Sequence, residues 1–148
     1  MGIGTVVREC RGLFNGLESL TDCCGGDGTT ARAIVKAYPH IKCNVLDLPQ
    51  LVLHFWSDED CIKILAQCKK AIPSREMGGK VIIIDIVLGS SLETITETEL
   101  LMDMLMFICT RGRQRDEKEW STIFTKAGFS DYKIVKKLGH RGVIEVYP

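Results

Sequence analysis

The chain has 148 residues, with 19 basic and 19 acidic side chains, so its formal net charge is zero. With 45% hydrophobic and 26% charged residues, its composition is that of one ordinary globular domain and excludes a disordered chain. Neutrality removes the electrostatic case for nucleic acid or an anionic membrane surface as partner. Seven cysteines, an odd number, and an opening stretch without a sustained apolar run lead us to expect a reduced, cytoplasmic protein. The longest apolar stretch, Val81–Leu88, is interrupted by Asp85 and is far too short to cross a membrane.

In chain order, Val6, Val7, Cys10, Leu13, Phe14 and Leu17 recur at roughly helical spacing and predict a leading helix over 6–17. Ser19–Cys24 reads as a short strand running into Gly25-Gly-Asp-Gly28. Ala31, Ile34, Val35 and Tyr38 then mark one face of a helix that Pro39 ends, and Ile41–Leu46 predicts a second strand. Strand, glycine turn, helix and strand in that order open a doubly wound α/β fold. Ser57 and Asp60 have the spacing of a capping box before a helix striped by Cys61, Leu65, Cys68 and Ile72. Lys80–Leu88 is a β-branched run expected to be a strand buried on both faces. Helices are expected at 97–110 and 116–126, and Tyr132–Leu138 with Val143–Tyr147 predicts a terminal antiparallel hairpin.

Gly26-Asp-Gly28-Thr-Thr-Ala31 fits the G-x-G-x-x-G/A pattern in its required place between strand and helix. Glycines there permit positive φ and close approach of a ligand to the backbone. Asp47 follows Gly28 by 19 residues, at the end of the second strand, where a carboxylate can accept both hydroxyls of a ribose. The pattern fits a dinucleotide or S-adenosylmethionine equally. Asp22 and Asp27, before and within the glycines, would repel a pyrophosphate but suit an amino group and a sulfonium, which favours S-adenosylmethionine. A nicotinamide-dependent oxidoreductase is the runner-up enzyme. Cys23 and Cys24 are adjacent and no C-x-x-C stands with histidines, so no zinc site is expected. Residues 111–118 mix both charge signs and read as a solvated loop and helix start.

The chain resembles the plant small-molecule O-methyltransferases, and within them the isoflavone O-methyltransferase group. The resemblance rests on Gly16-Leu-Glu-Ser-Leu-Thr-Asp22, Gly25–Ile34, Pro39–Gln50, Leu53-His-Phe-Trp-Ser-Asp58 continuing to Ile62, Gly79–Asp85, Glu119-Trp120, Ala127–Phe129 and Ile144–Pro148. These segments span nearly the whole chain in the family's order, and the Leu-His-x-Trp-Ser-Asp element is the most specific of them. The resemblance implies an incomplete Rossmann-like class I methyltransferase sheet that moves a methyl group from S-adenosylmethionine to a phenolic hydroxyl. By analogy Asp22, Cys24, Gly25, Gly26 and Gly28 would hold the methionine part of the cofactor and Asp47 its ribose. His54 would be the general base, supported by Asp85 and Gln114, with no metal. Met102 and Met106 would flank a flat aromatic substrate, as thioethers favour ring contacts. At helical spacing such methionines are also ordinary core.

The chemistry is coherent. A free phenol ionises near pH 10, so at neutral pH its oxygen needs a base as it attacks the methyl carbon. Imidazole titrates close to neutrality, and a carboxylate beside it fixes the tautomer and stabilises the imidazolium. Asp85, alone in an apolar strand, also demands a partner, since an unpaired buried carboxylate is costly.

Three departures from the family pattern set further expectations. Full-length relatives carry an N-terminal helical region that forms a homodimer and closes the substrate pocket, and this chain is expected to lack it. Asp47-Leu-Pro-Gln50 runs directly into Leu51-Val-Leu-His54, where the family places a strand, a helix and most of another strand, so residues 1–148 are read as one partial domain missing a segment near 50–51. The sheet is then expected to be gapped or re-paired through Leu51–Leu53. Cys24 stands where the family has its first glycine, and Gln114 where it has a glutamate. A shortened enzyme with weak or no activity alone, or a non-catalytic remnant that pairs with a full-length relative, follows from these departures.

Overall fold

The stretch from Ser19 to Leu46 forms the strand, turn, helix and strand that its sequence predicts. The computed structural model describes residues 3–46, 53–89, 101, 104, 105, 108–110, 112–138 and 141–148. The chain divides into two compact units, Met1–Val52 and Leu53–Pro148.

In the first unit, strands β1 (Ser19–Cys23) and β2 (Lys42–Leu46) pair in parallel, from Ser19 opposite Lys42 to Cys23 opposite Leu46. A parallel pair needs a crossover, and a helix from Thr29 to Ala37 supplies it, burying Ala31 and Ile34. Val35, expected on the same buried face, is exposed. The leading helix is shorter than predicted. It spans Ile3–Glu9, breaks at Cys10 and continues as one tight 3-10 turn, Arg11–Phe14. Gly12, Asn15 and Gly16 are poor helix formers, and the break buries Leu13 and Phe14. The Phe14 ring packs 5.4 Å from that of Tyr38, whose hydroxyl donates to the Arg11 carbonyl at 3.0 Å.

The second unit begins with a 3-10 turn, Leu53–Phe55, so Leu53 belongs to no strand here, and Leu51 and Val52 lie outside the described residues. We number its two regular helices α1 (Asp58–Ala71) and α2 (Glu117–Lys126). Ser57 caps α1, its Oγ accepting the Asp60 N–H at 3.2 Å. Asp116 caps α2 in a reciprocal box: its carboxylate accepts the Glu119 N–H at 2.8 Å, and Glu119 accepts the Asp116 N–H at 2.9 Å. A four-stranded sheet runs β4-β3-β6-β5, with β3 at Val81–Leu88, β4 at Arg115–Asp116, β5 at Asp131–Leu138 and β6 at Arg141–Tyr147. β3 and β4 are parallel, whereas β6 runs antiparallel to both β3 and β5. The predicted terminal hairpin is therefore present, with an irregularity between Ile134 and Lys136.

Cys61 and Leu65 of α1, Trp120, Ile123 and Phe124 of α2, Ile83 and Val87 of β3, and Ile144 and Val146 of β6 form the core. β3 departs from the expected two-sided burial: Ile83, Asp85 and Val87 are buried while Ile84 is 36% exposed, because the core draws on one face of the strand. The helix expected at 97–110 falls largely outside the described residues. Of its described side chains, Leu101, Met104, Leu105, Ile108 and Cys109 are exposed and Thr110 is half-buried. Among the described residues no helix is long and apolar enough to cross a membrane, and no cysteine is in a disulfide.

Candidate active site

In the first unit Asp22, Cys24, Gly25, Gly26 and Gly28, assigned to the cofactor, lie at one strand end and the turn that follows it. β1 carries Asp22 opposite Val45 and delivers the chain into Cys24–Gly28. Asp22 Oδ2 is buried and has no hydrogen-bond partner among the described residues. Burial pushes the Asp22 carboxyl above its ordinary value, because the anion is denied water. A β-carbon on Gly25 would lie 2.6 Å from that same oxygen and 2.7 Å from Val45 Cγ1, so only glycine leaves room for the carboxylate. Gly26 has φ +49° with nothing within 4 Å of a β-carbon built there, so its backbone lies open to a ligand.

Asp27 has a local task. Its Oδ1 accepts the Thr29 N–H at 2.9 Å and the Thr29 hydroxyl at 2.6 Å, which closes the turn and draws its carboxyl below the usual range. Arg32 donates to the Asp27 carbonyl at 2.6 Å, fastening the turn to its helix.

Cys24 has φ +67°, the one left-handed non-glycine residue among those described. The position thus has the backbone that favours glycine, and the cysteine there is strained. Cys24→Gly is expected to stabilise the unit by about 1 kcal/mol, the left-handed penalty less the glycine's added unfolded-state entropy. A urea melt checks this, and an unchanged or lower midpoint would show that thiol packing outweighs the strain. Asp47, the expected ribose ligand, lies outside the described residues, as do Met102 and Met106.

The second unit brings His54 and Asp85 together. The 3-10 turn presents His54, and β3 presents Asp85, which is 6% exposed. His54 Nδ1 lies 3.0 Å from Asp85 Oδ1. The same oxygen accepts the Ile86 N–H at 2.7 Å, so the carboxylate is fixed from its own strand. A carboxylate at Nδ1 favours the tautomer with the proton there and leaves the Nε2 lone pair as a base. The ring of Phe55 stands edge-on to the imidazole at 4.5 Å. Gly142 of β6 stands opposite Asp85 of β3, and a β-carbon on it would strike Val87 Cγ2 at 2.7 Å.

Gln114 is buried in the segment entering β4. Two residues earlier, Gly112 packs so tightly on the His54 turn that a β-carbon would fall 1.7 Å from the His54 carbonyl oxygen. The expected solvated loop at 111–118 is therefore wrong for its centre: Gln114 is 4% exposed and Arg115 0%. Arg113 stays at the surface, paired with Asp58 at 2.8 Å and Glu119 at 2.5 Å. The Arg113 hydrogen bond, with Arg115 behind it, draws the Asp58 carboxyl below its ordinary value. Arg115 and Gly112 are the residues that sequence reasoning missed. The Asp116-x-x-Glu119 capping box was the usable signal, since a helix starting at 117 leaves Arg115 in the element before it.

Comparison with known proteins places the chain in a family. The O-methyltransferase domain family matches residues 2–52 and 50–130. A probable O-methyltransferase 2 of Sorghum bicolor is 57% identical over 181 aligned positions, covering 100% of this chain and 49% of its own. Daphnetin O-methyltransferase 1 of Secale cereale is 56% identical over 99% of this chain and 50% of its own. Among solved structures, PigF with SAH superposes with a TM-score of 0.79 at 23% identity, over 99% of this chain and 54% of that one. Human N-acetylserotonin methyltransferase in complex with SAM gives 0.75 at 19%, over 91% and 48%. The 181 positions aligned to the sorghum protein exceed the 148 residues of this chain by 33, and the chain spans about half the length of the curated relatives it matches. The glycine turn, the His54–Asp85 pair and a family match over most of the sequence lead to one conclusion: the chain belongs to the O-methyltransferase domain family.

Proposed function

We propose that this chain is an S-adenosylmethionine-dependent O-methyltransferase domain acting on a phenolic hydroxyl of the flavonoid or isoflavonoid class, with weak or no turnover as it stands. The hydrogen bond between His54 Nδ1 and Asp85 Oδ1, at 3.0 Å, carries the reading. An oriented neutral imidazole is what phenol methylation needs, since it takes the proton as the oxygen attacks. Relatives with phenolic names, such as the daphnetin methyltransferase, support the substrate class.

The residues of the first unit fit the cofactor. The buried, unpartnered Oδ2 of Asp22 suits an ammonium donor, and Gly26 leaves its backbone accessible. Gly25 protects that carboxylate's space, and Asp47 is assigned to the ribose. When bound, S-adenosylmethionine supplies an electrophilic methyl on a sulfonium. The second unit deals with the proton. His54 Nε2 would accept it from the phenol hydroxyl, while Asp85 would hold the Nδ1–H and balance the imidazolium charge. Gln114, in place of a carboxylate, can hydrogen-bond but cannot add to that charge balance. Against a nicotinamide enzyme stands Asp22, whose buried carboxylate would repel a pyrophosphate.

The weak turnover is assigned to a missing segment at 50–51. The two family matches overlap at residues 50–52, which accords with that assignment. Transfer of labelled methyl to an isoflavone tests it. The chain as it stands is expected to give little or none, and a chain with an insert of 33 residues from the sorghum relative placed after Gln50, the excess of that alignment over this chain, to give turnover. Equal turnover by both chains would overturn the assignment.

A further inference from the structure

Arg115 is placed to act on both halves of the His54–Asp85 pair. Its backbone sits in β4 opposite Val87, two residues along β3 from Asp85. Its side chain, 0% exposed, reaches the turn that carries His54. Nη2 donates to the Trp56 carbonyl at 2.8 Å and Nη1 to the Leu53 carbonyl at 3.5 Å, so the guanidinium brackets the turn on both sides of the histidine. Nη1 also donates to the Arg113 carbonyl at 3.1 Å, and Nε donates to Asp58 Oδ1 at 2.8 Å. The guanidinium also lies over the Trp120 ring, 5.3 Å from its centroid. Cys61 completes the grip. Its thiol donates to the Leu53 carbonyl at 3.2 Å, and burial, the largest cause, lifts its pKa to about 11, which keeps it a protonated donor.

A planar, permanently charged fork that satisfies acceptors in three directions does more than fill space. Short 3-10 turns have poor internal hydrogen bonds, so the position of His54 depends on what holds its flanking carbonyls. We propose that Arg115 is a positioning residue for the base: it locks the His54 turn to the strand bearing Asp85 and thereby sets the His54 tautomer. The proposal rests on the reading of His54 as the base, but its test does not use turnover.

Nitrogen-15 NMR of the histidine rings reads the tautomer directly. His54 is assigned against the other two of the chain's three histidines by its absence in His54→Gln. The wild-type chain is expected to show His54 protonated at Nδ1. In Arg115→Lys, one ammonium cannot span these acceptors, and the Nδ1–H signature is expected to be lost in favour of the Nε2–H form, with far-UV circular dichroism unchanged. Asp58→Asn, at the exposed end of the network, is expected to shift the tautomer in the same direction by a smaller amount. It decides the matter if Arg115→Lys does not fold. A folded Arg115→Lys that keeps the wild-type tautomer would overturn the proposal, as would an unfolded one beside an Asp58→Asn that keeps it. Titration with S-adenosylhomocysteine is independent of all this. A chain that fails to bind it but shows the tautomer change would refute the methyltransferase reading and leave the role of Arg115 standing.

Discussion

His54→Gln, in a chain carrying the restored segment, is expected to lower kcat for methyl transfer to a phenol by 10²–10⁴-fold, the usual contribution of a positioned base. The size follows from the chemistry. Near neutral pH the phenol is protonated, and without a base the reaction must wait for the small phenolate fraction. Glutamine keeps the volume and one hydrogen bond to Asp85 but cannot take a proton. Two accompanying results separate this from a packing defect. KM for the cofactor is expected to stay within a few-fold, because His54 is assigned to the phenol's proton and the glycine turn to the cofactor. The variant is also expected to lose the acidic limb of the pH–rate profile and to recover rate at alkaline pH, where the phenol ionises on its own. An unchanged kcat measured by label transfer would remove His54 from the mechanism.

Asp22→Asn is expected to weaken S-adenosylhomocysteine binding by about 10–100-fold, since a hydrogen bond between charged groups contributes about 1.5–3 kcal/mol. The expected effect on folding has the opposite sign. Burial raises the Asp22 carboxyl's pKa in the fold, so the folded chain holds the proton more tightly than the unfolded one. The ionised group is therefore a liability that grows as pH rises through its unfolded value towards its folded one. Removing the charge is expected to leave stability unchanged or slightly higher at pH 7. Binding by the wild-type chain is expected to fall as pH drops through the folded pKa of Asp22, and binding by the variant to lose that dependence. Calorimetric titration with a parallel urea melt checks both signs. A variant that binds as well as wild type would show that Asp22 does not meet the ligand's amino group.

The legible parts of this sequence were those fixed by local physics. The glycine turn needs backbone that only glycine tolerates: at Gly25 a β-carbon would meet Asp22 Oδ2 at 2.6 Å, and the turn's place between strand and helix follows. Ser57 announced the start of a helix, and the runs Tyr132–Leu138 and Val143–Tyr147 announced the hairpin. Asp85 was conspicuous because a carboxylate in an apolar strand must find a partner, and it found His54. What stayed hidden depends on contacts between residues distant in sequence. Arg115 sits in a mixed-charge stretch that reads as solvent-exposed, yet its acceptors at Leu53 and Trp56 are 62 and 59 residues away. The capping box at Asp116 places Arg115 before the helix, but the burial of its guanidinium among carbonyls has no local signal. The early helix failed for a related reason: burial of Leu13 and Phe14 outweighed a periodic pattern already weakened by Gly12. The left-handed φ of Cys24 was foreshadowed only because the family keeps glycine at that position.

The central claim is that a cofactor with an amino group and a nucleoside, not a dinucleotide, belongs at the Asp22–Gly28 turn of a methyltransferase domain. Calorimetric titration of the chain with S-adenosylhomocysteine, and separately with NAD, tests it most directly. The account predicts saturable heat with S-adenosylhomocysteine at one site per chain and none with NAD. Heat with NAD alone, or with neither ligand on a chain shown to be folded, would contradict it.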